Sequence, residues 1–204
     1  MEGTGESRRS QRMLALHACC GPCLLEPYDA LAPSAGRTVV VFANPNIAPR
    51  AEYERRRDTL TAYARDEGID VVEVECASEA WHEAVAGAAT REERCRACYG
   101  LRMRLAAQWA AENGFDALAT TLTVSPYQNV DDINDAGQRA AAAAGVAWVA
   151  TDFRQRYREA TVRSRDLGMY RQNYCGCLPS QAEAEVEREA RRAARKATRA
   201  TEGR

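Results

Sequence analysis

Lysine is almost absent from this chain of 204 residues: Lys196 is the only one, and every other basic side chain is an arginine. A GC-rich genome accounts for that bias, so a single arginine carries little weight as a signal. No run approaches the roughly 20 apolar residues that cross a bilayer, and the polar stretch 1–12 has no signal-peptide core. These absences lead to the expectation of a cytoplasmic protein without a membrane span. The formal net charge is only −1, so no global field draws the chain to nucleic acid or lipid. There is no internal repeat. What is present is a globular composition, 46% hydrophobic and 28% charged, with eight cysteines. One domain of ordinary size is expected. Structural disulfides are rare in a reducing compartment, so the cysteines favour metal binding or redox chemistry.

Strand and helix patterns alternate along the chain. Met13–Ala18 reads as a first strand, followed by a helix around Leu24–Leu31; Thr38–Phe42 is a β-branched run typical of a strand buried on both faces. A helix over Glu52–Glu67, capped by Gly68, leads to a strand over Ile69–Glu75. A short helix over Ala80–Ala88 precedes a longer one from Arg91 to about Glu112. Ala117–Leu122 is a fourth strand, Asp131–Ala144 a helix with Gly145 as its C-cap, and Val146–Ala150 a fifth strand. This alternation indicates an α/β fold with an open, mostly parallel sheet, helices on both faces and cysteine loops at the carboxyl ends of strands. The expected organisation is a disordered leader over 1–12, one catalytic domain over 13–180, and a charged helix or tail over 181–204.

The cysteines fall in three groups, Cys19/Cys20/Cys23, Cys95/Cys98 and Cys175/Cys177, with Cys76 apart and read as a small buried hydrophobe. Cys20-Gly21-Pro22-Cys23 between a strand and a helix has the spacing of a thioredoxin dithiol, acidified by the helix N-terminus. That reading leaves Cys19 and both distant pairs unexplained. Cys95 and Cys98 lie one helical turn apart and can aim both sulfurs at one ligand. A Cys₄ zinc site would use four thiols, as would an iron–sulfur cluster. Seven grouped cysteines exceed one four-coordinate site, so the count points to a four-thiolate cluster plus a second thiolate site. The Cys-Gly-Cys pair suits a metal clip and could also cycle as a redox-active dithiol.

Five motifs in this order, HACCGPC (17–23), NPNIAPRAEYERR (44–56), RCRACYGLRMRLAA (94–107), TTLTVSPYQN (120–129) and YRQNYCGC (170–177), resemble the cobalamin-independent epoxyqueuosine reductase family, QueH. The resemblance covers nearly all of Met13–Ser180. It implies a Rossmann-like sheet and reduction of the epoxide of epoxyqueuosine, at the tRNA wobble position, to the alkene of queuosine. It further implies a [4Fe–4S] cluster on Cys19, Cys20, Cys95 and Cys98. Beside the cluster it implies a second metal, expected to be iron, on Cys23, Cys175 and Cys177; some relatives carry Asp at the position of Cys23.

Epoxide removal takes two electrons and two protons and releases water. A low-potential cluster supplies single electrons, and a metal with an open position polarises an oxygen. The electron donor, general acid and oligomeric state are not legible. Candidate proton donors are His17, His82, Tyr127, Tyr174 and Asp152, with Cys175, Cys177, Asp152 and Tyr127 the expected catalytic set. Ser125, Gln128, Asn44 and Asn46 are candidate nucleoside contacts. Residues 152–177 carry six arginines against three acids and residues 91–104 five against two, a local excess of positive charge beside the cysteines. Such stretches fit a tRNA partner, whose extruded base would stack on Tyr127 or Tyr174. Two rivals remain. A tRNA thiolase needs an SGGxDS-type loop where HACCGPC stands, and a Cys₄ zinc module that binds nucleic acid would contain no sulfide.

Overall fold

A computed structural model describes residues 12–202; the expected leader falls almost wholly outside them. Five parallel strands form one sheet: β1 (Met13–His17), β2 (Arg37–Phe42), β3 (Asp70–Glu73), β4 (Ala117–Thr120) and β5 (Ala147–Trp148). Their order is β3-β2-β1-β4-β5. The helices are α1 (Gly21–Leu31), α2 (Arg50–Asp66), α3 (Ser78–Val85), α4 (Arg91–Glu112), α5 (Val130–Ala144), α6 (Tyr157–Asp166) and α7 (Leu178–Glu202).

The period-two pleat sorts the strand residues into two cores. Ala15, Val39, Val41 and Leu118 face Met103, Ala106, Ala107, Ile133 and Ala136 of α4 and α5. Leu14, Leu16, Val40, Phe42 and Ala117 face Leu24, Leu25, Leu60 and Ala64 of α1 and α2. Small residues let α4 and α5 approach each other. At Gly137 of α5 an added Cβ would stand 2.3 Å from the Trp148 ring, so only glycine admits that indole. The ring is fixed in turn by its N–H, which donates to Asn134 Oδ1 at 3.2 Å.

The expected α/β sheet is present, with differences at its ends. β4 stops at Thr120 because the Thr120 hydroxyl accepts the Leu122 N–H (3.2 Å) and starts a 3-10 turn over Leu122–Val124. β5 has two residues instead of five: Asn134 takes up both the N–H and the carbonyl of Thr151, drawing the chain off the sheet towards α5. The polar stretch after Asp152 contains α6, which buries only Ala160 and Ser164. α4 opens on a capping box, with the Thr90 hydroxyl accepting from Glu93 N–H and the Glu93 carboxylate accepting from Thr90 N–H. Gly68 and Gly145 adopt φ of 67° and 75°, the left-handed helix caps expected of them.

Candidate metal centre

After β1 the chain passes to β2 on one side, while β4 lies on the other, so the sheet has its topological switch point at the carboxyl ends of β1 and β4. Open α/β sheets bind ligands in that crevice. The first cysteine loop is there. Cys20 is the N-cap of α1, Cys19 and Cys20 are buried, and Cys23 sits in the first turn. The three sulfurs lie within 4.8 Å of one another.

The other two groups come to the same end. Cys95 and Cys98, in the first two turns of α4, line a cavity of about 40 Å³ with Cys175 and Cys177. An open groove of about 370 Å³ adjoins it and shares Cys175, Tyr127 and Gln128, with Cys19 and Cys23 in its wall. Cys175 and Cys177 immediately precede α7. The positive ends of two helix dipoles, α1 and α7, are therefore placed where sulfur would carry negative charge.

The Cys-Gly-Cys loop is clamped. Gly176 has φ of 146°, and a Cβ there would stand 2.9 Å from Asn46 Nδ2 and 3.1 Å from Ile47 Cγ1; glycine meets both demands. Its carbonyl accepts the Ala48 N–H at 2.9 Å, and the Tyr174 hydroxyl donates to Ala48 O at 2.8 Å. Arg56, fully buried, donates to Cys175 O (2.7 Å), Tyr174 O (3.2 Å) and Glu52 Oε1 (2.7 Å). Tyr170 completes the arrangement by donating to Glu52 Oε2 at 2.7 Å.

A second buried arginine is treated differently. Arg102 is 1% exposed, and its Nη2 donates to Asn44 Oδ1 at 2.7 Å, but Nε and Nη1 have no hydrogen-bond partner. No carboxylate pairs with it among the described residues. Burial works against its charge, and the groups that favour it are Cys98, Cys19 and Cys175, one from each cysteine cluster, with Tyr99.

Without a metal, burial holds most of these thiols protonated: it pushes Cys20 and Cys98 up to about 12 and Cys95 to about 11, and raises Cys175. Cys19 moves the other way through its sulfur–sulfur hydrogen bonding with Cys20 (3.8 Å) and with Cys23, with Arg102 and Arg56 adding to the effect. A cation that replaces the protons relieves the burial cost of thiolates.

The remaining candidates separate clearly. His17 is fully buried, with Nδ1 2.8 Å from Thr120 Oγ1 and Nε2 3.2 Å from Ala43 O. Since Ala43 O can only accept, Nε2 carries the hydrogen and Nδ1 accepts from Thr120. Burial lowers its pKa to about 3, and the side chain is a neutral strut between β1, β2 and β4. His82 rests edge-on against Trp81. Asp152 is bound by Arg154 (2.5 Å), which lowers its pKa, and it lines neither cysteine cavity. Tyr127 is 67% exposed at the groove mouth, edge-on to Tyr157 with centroids 6.2 Å apart. Gln128 accepts from the Tyr99 hydroxyl at 2.5 Å, which leaves its amide N–H₂ free to donate towards Cys175. Tyr174 and Ser125 also line the groove, whereas Asn44 and Asn46 are buried below it.

The local arginine excess is partly neutralised: Arg154 pairs with Asp152, Arg156 with Glu26, and Arg163 with Glu26 and Asp29. The groove wall carries Arg91 with Arg188 and Arg191 of α7, of which Arg91 pairs with Glu183 and Glu187, and Arg191 with Glu187. Gln172, whose amide donates to Cys20 Sγ at 2.9 Å, Arg56 and Arg102 were not singled out from the sequence. A signal existed for Arg102, which stands four residues after Cys98 and hence on the same helix face.

Fold and site together define a class: a Rossmann-like α/β protein whose switch-point crevice is lined by thiols from three chain segments. The chain matches the family model described as epoxyqueuosine reductase QueH over residues 14–183, and it belongs to that family. It is 33% identical over 185 residues to epoxyqueuosine reductase QueH of Histophilus somni, covering 86% of this chain and 75% of the relative. Against the Thermotoga maritima protein of the same name it is 33% identical over 187 residues, covering 85% and 95%. Among solved structures it resembles the U34-tRNA thiolase NcsA from Methanococcus maripaludis with its [4Fe–4S] cluster, at a TM-score of 0.48 and 14% identity, covering 86% and 65%.

Proposed function

We propose that this protein reduces the epoxide of epoxyqueuosine in tRNA to the alkene of queuosine, with thiolate-held iron in the switch-point crevice. The observation that carries the reading is the convergence of seven cysteines at one end of the sheet, beside a buried guanidinium with no carboxylate partner among the described residues. An unpaired buried charge costs several kcal/mol, and a site of metal-bound thiolates and sulfide supplies the missing negative charge. The donor set is soft and all-sulfur, which suits iron–sulfur chemistry.

In the division we favour, Cys19, Cys20, Cys95 and Cys98 hold a [4Fe–4S] cluster, and Cys23, Cys175 and Cys177 hold a second metal, taken to be iron. Two of the three in that second set, Cys23 and Cys175, wall the open groove, against one of the four cluster ligands, Cys19. A second division is favoured by side-chain packing: Cys19, Cys20 and Cys23 form one sulfur triad, and Cys95, Cys98, Cys175 and Cys177 line one cavity. Alanine variants separate the two. C175A and C177A lose only the single metal in the first division and the cluster in the second, whereas C19A and C20A lose the cluster in the first and only the single metal in the second.

When bound, the metals supply electrons and polarise the epoxide oxygen; two electrons and two protons turn the epoxide into an alkene and water. The chain's own residues receive and orient the nucleoside. Tyr127 and Tyr157 offer rings at the groove mouth, and Gln128, Gln172 and the exposed Asn173 line the same groove with amide groups. Arg91, Arg188 and Arg191 face the phosphates of the anticodon loop. Tyr127 is the one member of the expected proton-donor set, besides Tyr174, that lines the groove; the carboxylate of Asp152 is engaged by Arg154 outside it. Among the described residues no helix is long and apolar enough to cross a membrane, and unpaired thiols fit a reducing, cytoplasmic setting.

The test is an anaerobic assay on tRNA bearing epoxyqueuosine, with a low-potential reductant and no cobalamin. Queuosine in the digested tRNA is the expected product. Protein with a full complement of iron and sulfide that converts none would overturn the reading, as would stoichiometric zinc without sulfide in anaerobically purified protein.

A further inference from the structure

The two buried arginines of the site are built for different purposes. Arg56 has a carboxylate partner and an acceptor on each of its three nitrogens. Arg102 has no carboxylate partner among the described residues and two nitrogens with nothing to donate to. It lies on α4 one turn beyond Cys98, directly on the face that carries the sulfurs. Asn44, at the carboxyl end of β2, holds its third nitrogen and fixes the plane of the fork, while Asn44 Nδ2 donates to Ala18 O at 2.8 Å and so ties that anchor to the first cysteine loop. Its two unpartnered nitrogens belong to a side chain on the sulfur-bearing face of α4, near enough to Cys98, Cys19 and Cys175 for each to act on its charge, and donors left free there call for anionic sulfur. Hydrogen bonds to cluster sulfurs and nearby charge are the levers by which a protein sets a cluster's potential.

We propose that Arg102 is the positioning residue that sets the reduction potential of the iron–sulfur centre, its Nε–H and Nη1–H donating to the thiolate or sulfide sulfurs held between Cys98, Cys19 and Cys175. This rests on the iron–sulfur reading above. The step concerned is the uptake of one electron from an external low-potential reductant, which makes the centre more negative by one charge. A fixed cation and two N–H donors stabilise the reduced form more than the oxidised one. The potential therefore lies higher with Arg102 in place than without it.

The experiment compares wild type, R102K and R102M after anaerobic reconstitution with iron and sulfide, using dithionite titration followed by electron paramagnetic resonance. Wild type should hold iron and sulfide and show one reducible centre. R102M should show a more negative midpoint potential at equal iron and sulfide per folded chain, and R102K, which keeps the charge but not the fork, a smaller shift of the same sign. An unchanged midpoint in fully loaded R102M overturns the proposal even if its melting temperature falls, because a merely structural role moves stability and not potential. Should R102M fail to accumulate as folded protein, R102K decides, and a midpoint equal to wild type overturns it. Wild type without sulfide would defeat the iron–sulfur reading itself, a distinct outcome from any of these.

Discussion

Arg56→Met removes the clamp on the Cys-Gly-Cys loop while keeping much of the side-chain volume. In the wild type the guanidinium is fully buried, pairs with Glu52 at 2.7 Å and binds the carbonyls of Tyr174 and Cys175. The methionine leaves Glu52 buried with only the Tyr170 hydroxyl and leaves both carbonyls without that donor. Breaking a buried ion pair from one side costs about 3–5 kcal/mol. For a chain of this size about 1 kcal/mol moves the melting temperature by roughly 2–4 °C, so the expected fall is roughly 6–20 °C. The assay is thermal unfolding of the metal-free protein followed by circular dichroism, with E52Q and the double variant E52Q/R56M measured alongside. Neutralising Glu52 removes the uncompensated charge, so the double variant should melt above R56M. The reasoning is refuted if R56M melts within about 2 °C of wild type, or if E52Q/R56M gains nothing over R56M.

Gly137→Ala drives a methyl into the Trp148 ring; overpacking of this kind costs about 1–3 kcal/mol, and G137A should unfold at lower denaturant than wild type, with W148L restoring part of the loss. Tyr127→Ala deletes the exposed ring at the groove mouth; base stacking on an aromatic is worth about 1–3 kcal/mol, so tRNA affinity should fall several-fold or more in filter binding while the iron content stays constant. Arg188 and Arg191 face the groove from α7; if each meets a phosphate, the double alanine variant should flatten the slope of log affinity against log salt by about 1–2, and an unchanged slope would remove α7 from the tRNA surface.

The sheet and its helices on both faces were legible because they rest on strong local signals, β-branched runs and glycine caps; the meeting of the three cysteine groups was legible from their number and the family resemblance, since only the first group follows a strand. The strand order was not, since nothing local says that β4 pairs with β1. α6 was invisible because it turns only Ala160 and Ser164 inward, too little for a helical period to stand out. The shortening of β5 depends on Asn134, a side chain from a different element. Arg56 and Arg102 were hidden by the arginine bias of the whole chain; only burial and hydrogen bonding distinguish them from the solvated arginines around them. Asp152 is the converse case: the shortening of β5 leaves it four residues past the strand, where it pairs with the exposed Arg154 and lines neither cysteine cavity.

The sheet also has consequences at its margins. Both edge strands are short: β5 spans two residues, and β3 spans four, carrying Asp70 and Glu73. An edge that brief, charged on one side and diverted by Asn134 on the other, is a poor template for another strand. Partially unfolded copies therefore have little to zip onto, and any pairing of two copies must be made by helices and loops.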